Sequence, residues 1–208
     1  AAGFDKSAEV YNSLFKFGFG FIEVGTVTPK QQLGNPKPRI FRLEKDQALI
    51  NRLGFNNHGS ETVSKRISNN QPDGFLGINI GPNKETKNKE DDYYICLSRL
   101  GIYAGYITIN ISSPNTEGLR DFHDQDEMKK LLSGINKIVK EKKIDCPIMI
   151  KISPDISDNE ISKIVELVGR HKIQGIIVSN TTDSNRDNLS DIKKHETGGL
   201  SGQPLKDI

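Results

Sequence analysis

The chain has 208 residues, with 29 Lys+Arg against 27 Asp+Glu and a formal net charge of +2, so no electrostatic case exists for nucleic acid or an anionic membrane surface as a partner. A mean hydropathy of −0.53 without any 18-residue apolar run excludes a spanning helix, and the opening AAGFDKSAEV does not read as a signal peptide. Two cysteines and four scattered histidines make neither a disulfide framework nor a metal site, so no metal is expected, and low cysteine use fits a reducing compartment.

Along the chain, Val10, Leu14 and Phe15 form a short helical stripe that ends at Gly18. Residues 18–25 (GFGFIEVG) read as a strand. Residues 26–70 read as an excursion, with Pro29, Pro36 and Pro38 followed by RIFRL, holding a short strand pair and then a helix. Further strands are expected at 74–80 (GFLGINI), 105–109 (GYITI), 147–152 (PIMIKI) and 174–178 (QGIIV). None alternates polar and apolar cleanly, which is the pattern of parallel strands buried on both faces. Met128, Leu131, Leu132, Ile135 and Val139 mark one intervening helix, and Ile161, Ile164, Val165 and Val168 another. Ser157 and Glu160 make a capping box for the latter. Phe15, Phe17, Phe19 and Phe21 read as helix and strand core, and the lysine-rich run at 137–143 as a solvated helix face.

Strands alternating with helices predict an α/β fold with a parallel sheet. Five whole strands fall short of the eight of a β/α barrel. The expectation is therefore a TIM (β/α)8 barrel, incomplete in this chain, with Ala1 at the exit of a missing first strand and the last two strands also missing. Residues 1–208 would form a single partial barrel domain with the insertion at 26–70. A doubly wound open sheet is the alternative, but no G-x-G-x-x-G follows the first strand.

Polar residues collect where barrel chemistry sits, at the strand exits. They are Gly3, Phe4, Asp5 and Lys6; Thr26; Asn79; Asn110, Ser112, Ser113, Pro114 and Asn115; Lys151; and Ser179, Asn180, Thr181 and Thr182. A lysine inside an apolar strand is costly unless paired. Two lysines among several amides, with few carboxylates, suit a flat, polar, partly anionic ligand. Taken singly, each has a plainer reading. Residues 51–57 and 112–115 contain common turn formers, Lys151 could extend from a strand end, Ser179–Thr181 could cap a helix, and Gly198–Gly199 could be loop. Five successive exits carrying such residues is the stronger signal.

AAGFDK, NRLGFN, INIGPNK, ITINISSPNTEGLR, IKISPD, SNTT and GGLSGQPL, in this order, resemble dihydroorotate dehydrogenase of the quinone-dependent class, in motifs that span nearly the whole chain. The resemblance implies a β/α barrel that binds FMN, oxidises dihydroorotate to orotate in pyrimidine synthesis and passes electrons to a quinone. The cytosolic class carries a cysteine base where this chain has Ser113, which favours the quinone class. Carried over by position, Ser113 would be the catalytic base. Lys6, Asn51, Arg52, Leu53, Gly54, Phe55, Asn110, Asn115, Asn180 and Thr181 would bind substrate. Ala2, Gly3, Lys6, Thr26, Asn79, Asn110, Lys151, Ser179 and Gly202 would contact FMN. The family also implies peripheral contact with an inner membrane, on the cytoplasmic side in bacteria or in mitochondria, through an N-terminal extension missing from this chain. The family's main FMN phosphate grip likewise lies in the missing strands. The other readings are an FMN barrel oxidoreductase with a different electron acceptor, and a truncated barrel that no longer catalyses.

Overall fold

In β1 (Phe21–Val27) every residue after the first is buried, which a strand achieves only with cover on both faces. It pairs in parallel with β4 (Phe75–Ile80), β4 with β5 (Tyr106–Asn110), β5 with β6 (Ile148–Lys151) and β6 with β7 (Gly175–Ile177). The computed structural model describes residues 2–116, 118–184 and 186–206, so the expectation for Ala1 lies outside the described residues. All five expected strands form, in the order β1-β4-β5-β6-β7, as an arc of a β/α barrel.

Between the strands run α2 (Ser60–Asn69), α3 (Lys89–Leu100), α4 (Gln125–Lys142) and α5 (Asp158–Arg170). The Ser157–Glu160 capping box is present in full, whereas α4 starts on Asp124, whose carboxylate accepts from the N–H groups of Asp126 and Glu127. A single turn, α1 (Tyr11–Phe15), precedes β1. Sequence patterning did not single out α3. Its buried Tyr93, Cys96, Leu97 and Leu100 follow helical spacing, but the stripe is short and follows directly on the acids Glu90, Asp91 and Asp92.

The two faces of the sheet differ in chemistry, a point the sequence reading missed. Because strand side chains alternate, the register puts Ile22, Val24, Leu76, Ile78, Ile107, Ile109, Ile148 and Ile150 on the helix-covered face. They merge with Leu97, Leu131, Leu132 and Ile164 in one core, each fully buried Leu or Ile contributing roughly 1.5–3 kcal/mol. The opposite face carries Glu23, Asn79, Tyr106, Thr108, Asn110 and Lys151.

The excursion forms β2 (Ile40–Leu43) and β3 (Ala48–Asn51) as an antiparallel pair, with α2 after it, as expected. A third strand, β8 (Gly199–Gly202), pairs antiparallel with β3, so Gly198–Gly199 leads into a strand. Phe41, Leu43, Ile50, Leu189 and Leu200 give this small sheet its own core. The phenylalanine reading is corrected. Phe15 packs against the core, whereas Phe17, Phe19 and Phe21 are exposed. With Phe4 and Leu14 they line an open apolar hollow of ≈ 610 Å³.

Candidate active site

The C-terminal ends of the parallel strands and the end of β3 converge on a cleft of ≈ 250 Å³. Residues from seven stretches of the chain line it. The N-terminal segment supplies Ala2, Gly3 and Lys6. Thr26 comes from β1, and Asn110 from β5 with Ser113 and Asn115 after it. Lys151 comes from β6, with Ser179, Asn180 and Thr181 after β7. Asn51, Leu53, Gly54 and Phe55 come from β3 and its exit, and Ser201 and Leu205 from β8 and beyond.

Local chemistry explains the convergence. The Gly3 N–H donates to Gly25 O and the Gly25 N–H to Asp5 O, both at 2.9 Å, which lays the N-terminal segment along the end of β1. Gly25 has φ +113, and a Cβ there would stand 2.3 Å from Asn79 O, so only glycine allows this approach. The Asp5 carboxylate accepts from the N–H groups of Glu9 (2.9 Å) and Val10 (2.8 Å), closing the turn beneath Lys6. Asn115 Nδ2 donates to Asn51 O at 3.1 Å, tying the Ser113 loop to β3. The Asn115 N–H donates to Ser113 Oγ at 3.3 Å.

The cleft is cationic and rich in donors. Among the described residues no acidic side chain lines it, and neither Lys6 nor Lys151 forms an ion pair. Burial first, and Arg39 second, bring Lys6 down to about 8. Burial also lowers Lys151, and Glu23 works in the opposite direction. Two half-buried ammoniums, neither in a salt bridge, call for an anionic or carbonyl-rich ligand.

Three of the expected residues do not line the cleft. Arg52 turns away: its guanidinium pairs with Glu196 at 2.7 Å and stacks over Phe41 at 4.4 Å. Asn79 lies beneath Thr26, whose hydroxyl donates to Asn79 Oδ1 at 2.7 Å. Gly202 has φ +103 and would carry a Cβ 2.4 Å from Gln47 O, so its backbone serves the β3–β8 pairing. Ser201 and Leu205 were missed, because nothing in the sequence indicates that β8 folds back against β3. Glu23 was also missed, although a carboxylate inside an apolar strand gives the same signal that singled out Lys151. Among the described residues no group of three or more His, Cys, Asp or Glu could hold a metal ion, and no helix is long and apolar enough to cross a membrane.

Comparison with known proteins gives a consistent result. A family model described as dihydroorotate dehydrogenase matches residues 1–208. Dihydroorotate dehydrogenase (quinone) of Bartonella tribocorum is 49% identical over 209 residues, covering 99% of this chain and 58% of the relative. The protein of the same name from Christiangramia forsetii is 49% identical over 207 residues, covering 99% of this chain and 60% of the relative. The crystal structure of DHODH from Eimeria tenella in complex with ferulenol superposes with a TM-score of 0.94 at 42% identity, covering 99% of this chain and 61% of that one. The sheet is therefore part of that β/α barrel, and the chain spans about 58% to 64% of the length of the curated relatives it matches.

Proposed function

The chain belongs to the dihydroorotate dehydrogenase family, and on that premise we propose that the protein oxidises dihydroorotate to orotate in pyrimidine synthesis, with FMN as cofactor and a quinone as final acceptor. One observation carries the reading. Ser113, Lys151, Lys6, Asn51, Asn110, Asn115, Asn180 and Thr181, from separate stretches of sequence, share one cleft.

The donor set fits a flavin. Thr26, Asn110, Lys6, Lys151, Ser179 and the Ala2–Gly3 backbone would hold the FMN ring, whose carbonyls and nitrogens need donors. When bound there, FMN would supply the hydride acceptor for the substrate carbon next to the one losing its proton. The half-buried Lys151 ammonium would offset the negative charge that the ring gains on reduction, an interaction of the kind worth ~3 kcal/mol. Asn51, Asn115, Asn180 and Thr181 present paired donors and acceptors to the edge of the pyrimidine ring and to its carboxylate. Lys6 adds a second positive charge on that side.

Ser113 removes the proton. It is 5% exposed; as Oγ takes the substrate proton its own hydroxyl proton passes to water, and the Asn115 N–H at Oγ supports the negative charge that develops meanwhile. Contact with an inner membrane through an N-terminal extension belongs to the same proposal. The test is anaerobic mixing of the full-length protein with dihydroorotate. Bleaching of bound flavin, reversed by a soluble quinone and not by NAD, is expected. Reversal by NAD alone would favour a relative with a nicotinamide partner.

A further inference from the structure

Beneath the cleft, hydrogen bonds run without a break from the middle of β1 to the loop after β7. Asn79 Nδ2 donates to Glu23 Oε1 at 3.1 Å. The Thr26 hydroxyl donates to Asn79 Oδ1 at 2.7 Å, and Asn110 Nδ2 donates to Thr26 Oγ1 at 3.1 Å. Asn110 Oδ1 accepts from the Ser112 hydroxyl at 3.0 Å and from Asn180 Nδ2 at 3.3 Å. Asn180 Nδ2 also donates to Ser112 Oγ at 2.9 Å, and the Thr181 N–H donates to Asn180 Oδ1 at 2.8 Å.

Every donor in this chain points back toward Glu23. A carboxylate only accepts and a backbone N–H only donates, so the two ends fix the direction of everything between them. An amide that could otherwise turn over is held with its oxygen on one side and its nitrogen on the other. Tyr106 and Thr108 complete the Glu23 acceptor set through their hydroxyls, at 2.9 and 2.8 Å, and Glu23 itself is 6% exposed. Glu23 does not line the cleft, but Asn110, Asn180, Thr26 and Thr181 do.

We propose that Glu23 is a positioning residue that sets the donor–acceptor polarity of this relay, and through it the amide faces that Asn110 and Asn180 present to the ligand. The inference rests on the reading of the cleft as an orotate site. In Glu23→Gln, the side-chain oxygen stays with Tyr106 and Thr108 and the new NH2 faces Asn79 Nδ2. Asn79 must then turn over, Thr26 must reverse its hydroxyl, and Asn110 must follow, leaving its nitrogen against that of Asn180. Asn79→Asp sets a second carboxylate against Glu23, and the two contest one proton. The double variant Glu23→Gln/Asn79→Asp restores the pattern, because the amide introduced at position 23 donates to the carboxylate introduced at position 79, and that carboxylate still accepts from Thr26.

The experiment measures the orotate dissociation constant of the flavin-loaded full-length protein by flavin difference spectra, together with its thermal midpoint. Each single variant is expected to bind orotate at least about tenfold more weakly, the cost of one mismatched buried hydrogen bond. The double variant is expected to return to within about threefold of the parent, a coupling that a merely structural carboxylate would not show. Thr108→Val, which removes a donor to Glu23 without reversing the relay, is expected to stay within about twofold. Parent-like affinity in Glu23→Gln, or a folded double variant no better than its singles, would overturn the proposal. A neutron structure of the parent tests it even if a variant fails to fold: deuterons on Asn79, Asn110 and Asn180 all directed toward Glu23 are required, and one reversed amide overturns it. A parent protein that binds no orotate would sink the orotate reading, while the neutron result would still decide the polarity.

Discussion

Arg120 donates through Nη2 to Asp155 Oδ2 at 2.9 Å, joining the stretch that follows Ser113 to the loop after β6. The same guanidinium donates through Nη1 to Asp183 at 2.9 Å, after β7, and through Nε to Ser112 O at 3.4 Å. One planar fork thus ties together three strand exits around the cleft, a geometry that lysine cannot reproduce. Arg120→Ala is expected to lower turnover about tenfold or more by loosening the Ser113 loop, with flavin content unchanged. Steady-state kinetics beside a flavin-to-protein ratio checks this, and unchanged turnover would remove Arg120 from that role.

Asp155 also carries a pH prediction. Burial opposes its charge, but hydrogen bonds from Thr182 and Ser184 outweigh that and bring it from 3.8 down to about 2. A carboxyl depressed on folding adds stability that is present above its unfolded value and is lost as pH falls through its folded value. Asp155→Asn is therefore expected to unfold less steeply than the parent between pH 3.8 and about 2. Acid titration followed by circular dichroism measures this.

Removing the Ser113 hydroxyl separates binding from chemistry. Ser113→Ala is expected to keep its flavin yet slow flavin reduction by dihydroorotate at least about 100-fold at neutral pH, the size of a lost general base. Stopped-flow reduction under anaerobic conditions reads the rate directly. A rate equal to the parent's would assign the proton to another group.

Lys6 is expected to make orotate affinity depend on pH. With its free-state value at about 8, a ligand that needs the ammonium binds well below that pH. It loses affinity above it, approaching about tenfold per pH unit as the fraction charged falls. Lys6→Met is expected to bind more weakly at neutral pH and to lack the decline near pH 8. A dissociation constant measured from about pH 6 to about 9.5 in both proteins, spanning the fall in charge, checks the sign.

Gly199 packs where β8 passes the cleft. A Cβ there would lie 1.9 Å from Thr181 Oγ1, so Gly199→Ala is expected to displace Thr181 and weaken orotate binding. Thr181→Gly removes both obstructing atoms, Oγ1 and the Cβ that would otherwise remain 2.7 Å away. The double variant is then expected to bind no worse than Thr181→Gly alone, a non-additivity that reports direct contact. Additive losses would contradict it.

The sequence made the parallel strands readable because β1, β4, β5, β6 and β7 are short apolar runs that need burial on two sides, and α5 because its capping box is local. The pairing of β8 with β3 joins residues about 150 positions apart, such as Ser201 with Leu49, and no local pattern encodes it. Ser201 and Leu205 were lost with it. Lys151 and the Asn110–Asn115 loop were legible as costly polar residues at strand ends. Asn79 and Arg52 were legible only as polar residues near a site. Which neighbour each one satisfies depends on strand register, and that places Asn79 under Thr26 and turns Arg52 toward Glu196.

The central claim is that one cleft holds a flavin ring against dihydroorotate with the Ser113 hydroxyl at the carbon that loses its proton. A substrate isotope effect in the full-length protein tests it most directly. Dihydroorotate labelled with deuterium at the carbon next to its ring carbonyl is mixed anaerobically with the parent and with Ser113→Ala. A primary isotope effect on flavin reduction in the parent, with reduction at least about 100-fold slower in Ser113→Ala, is the result the account predicts. Flavin reduction equally fast in both proteins, or none in the parent, would contradict it.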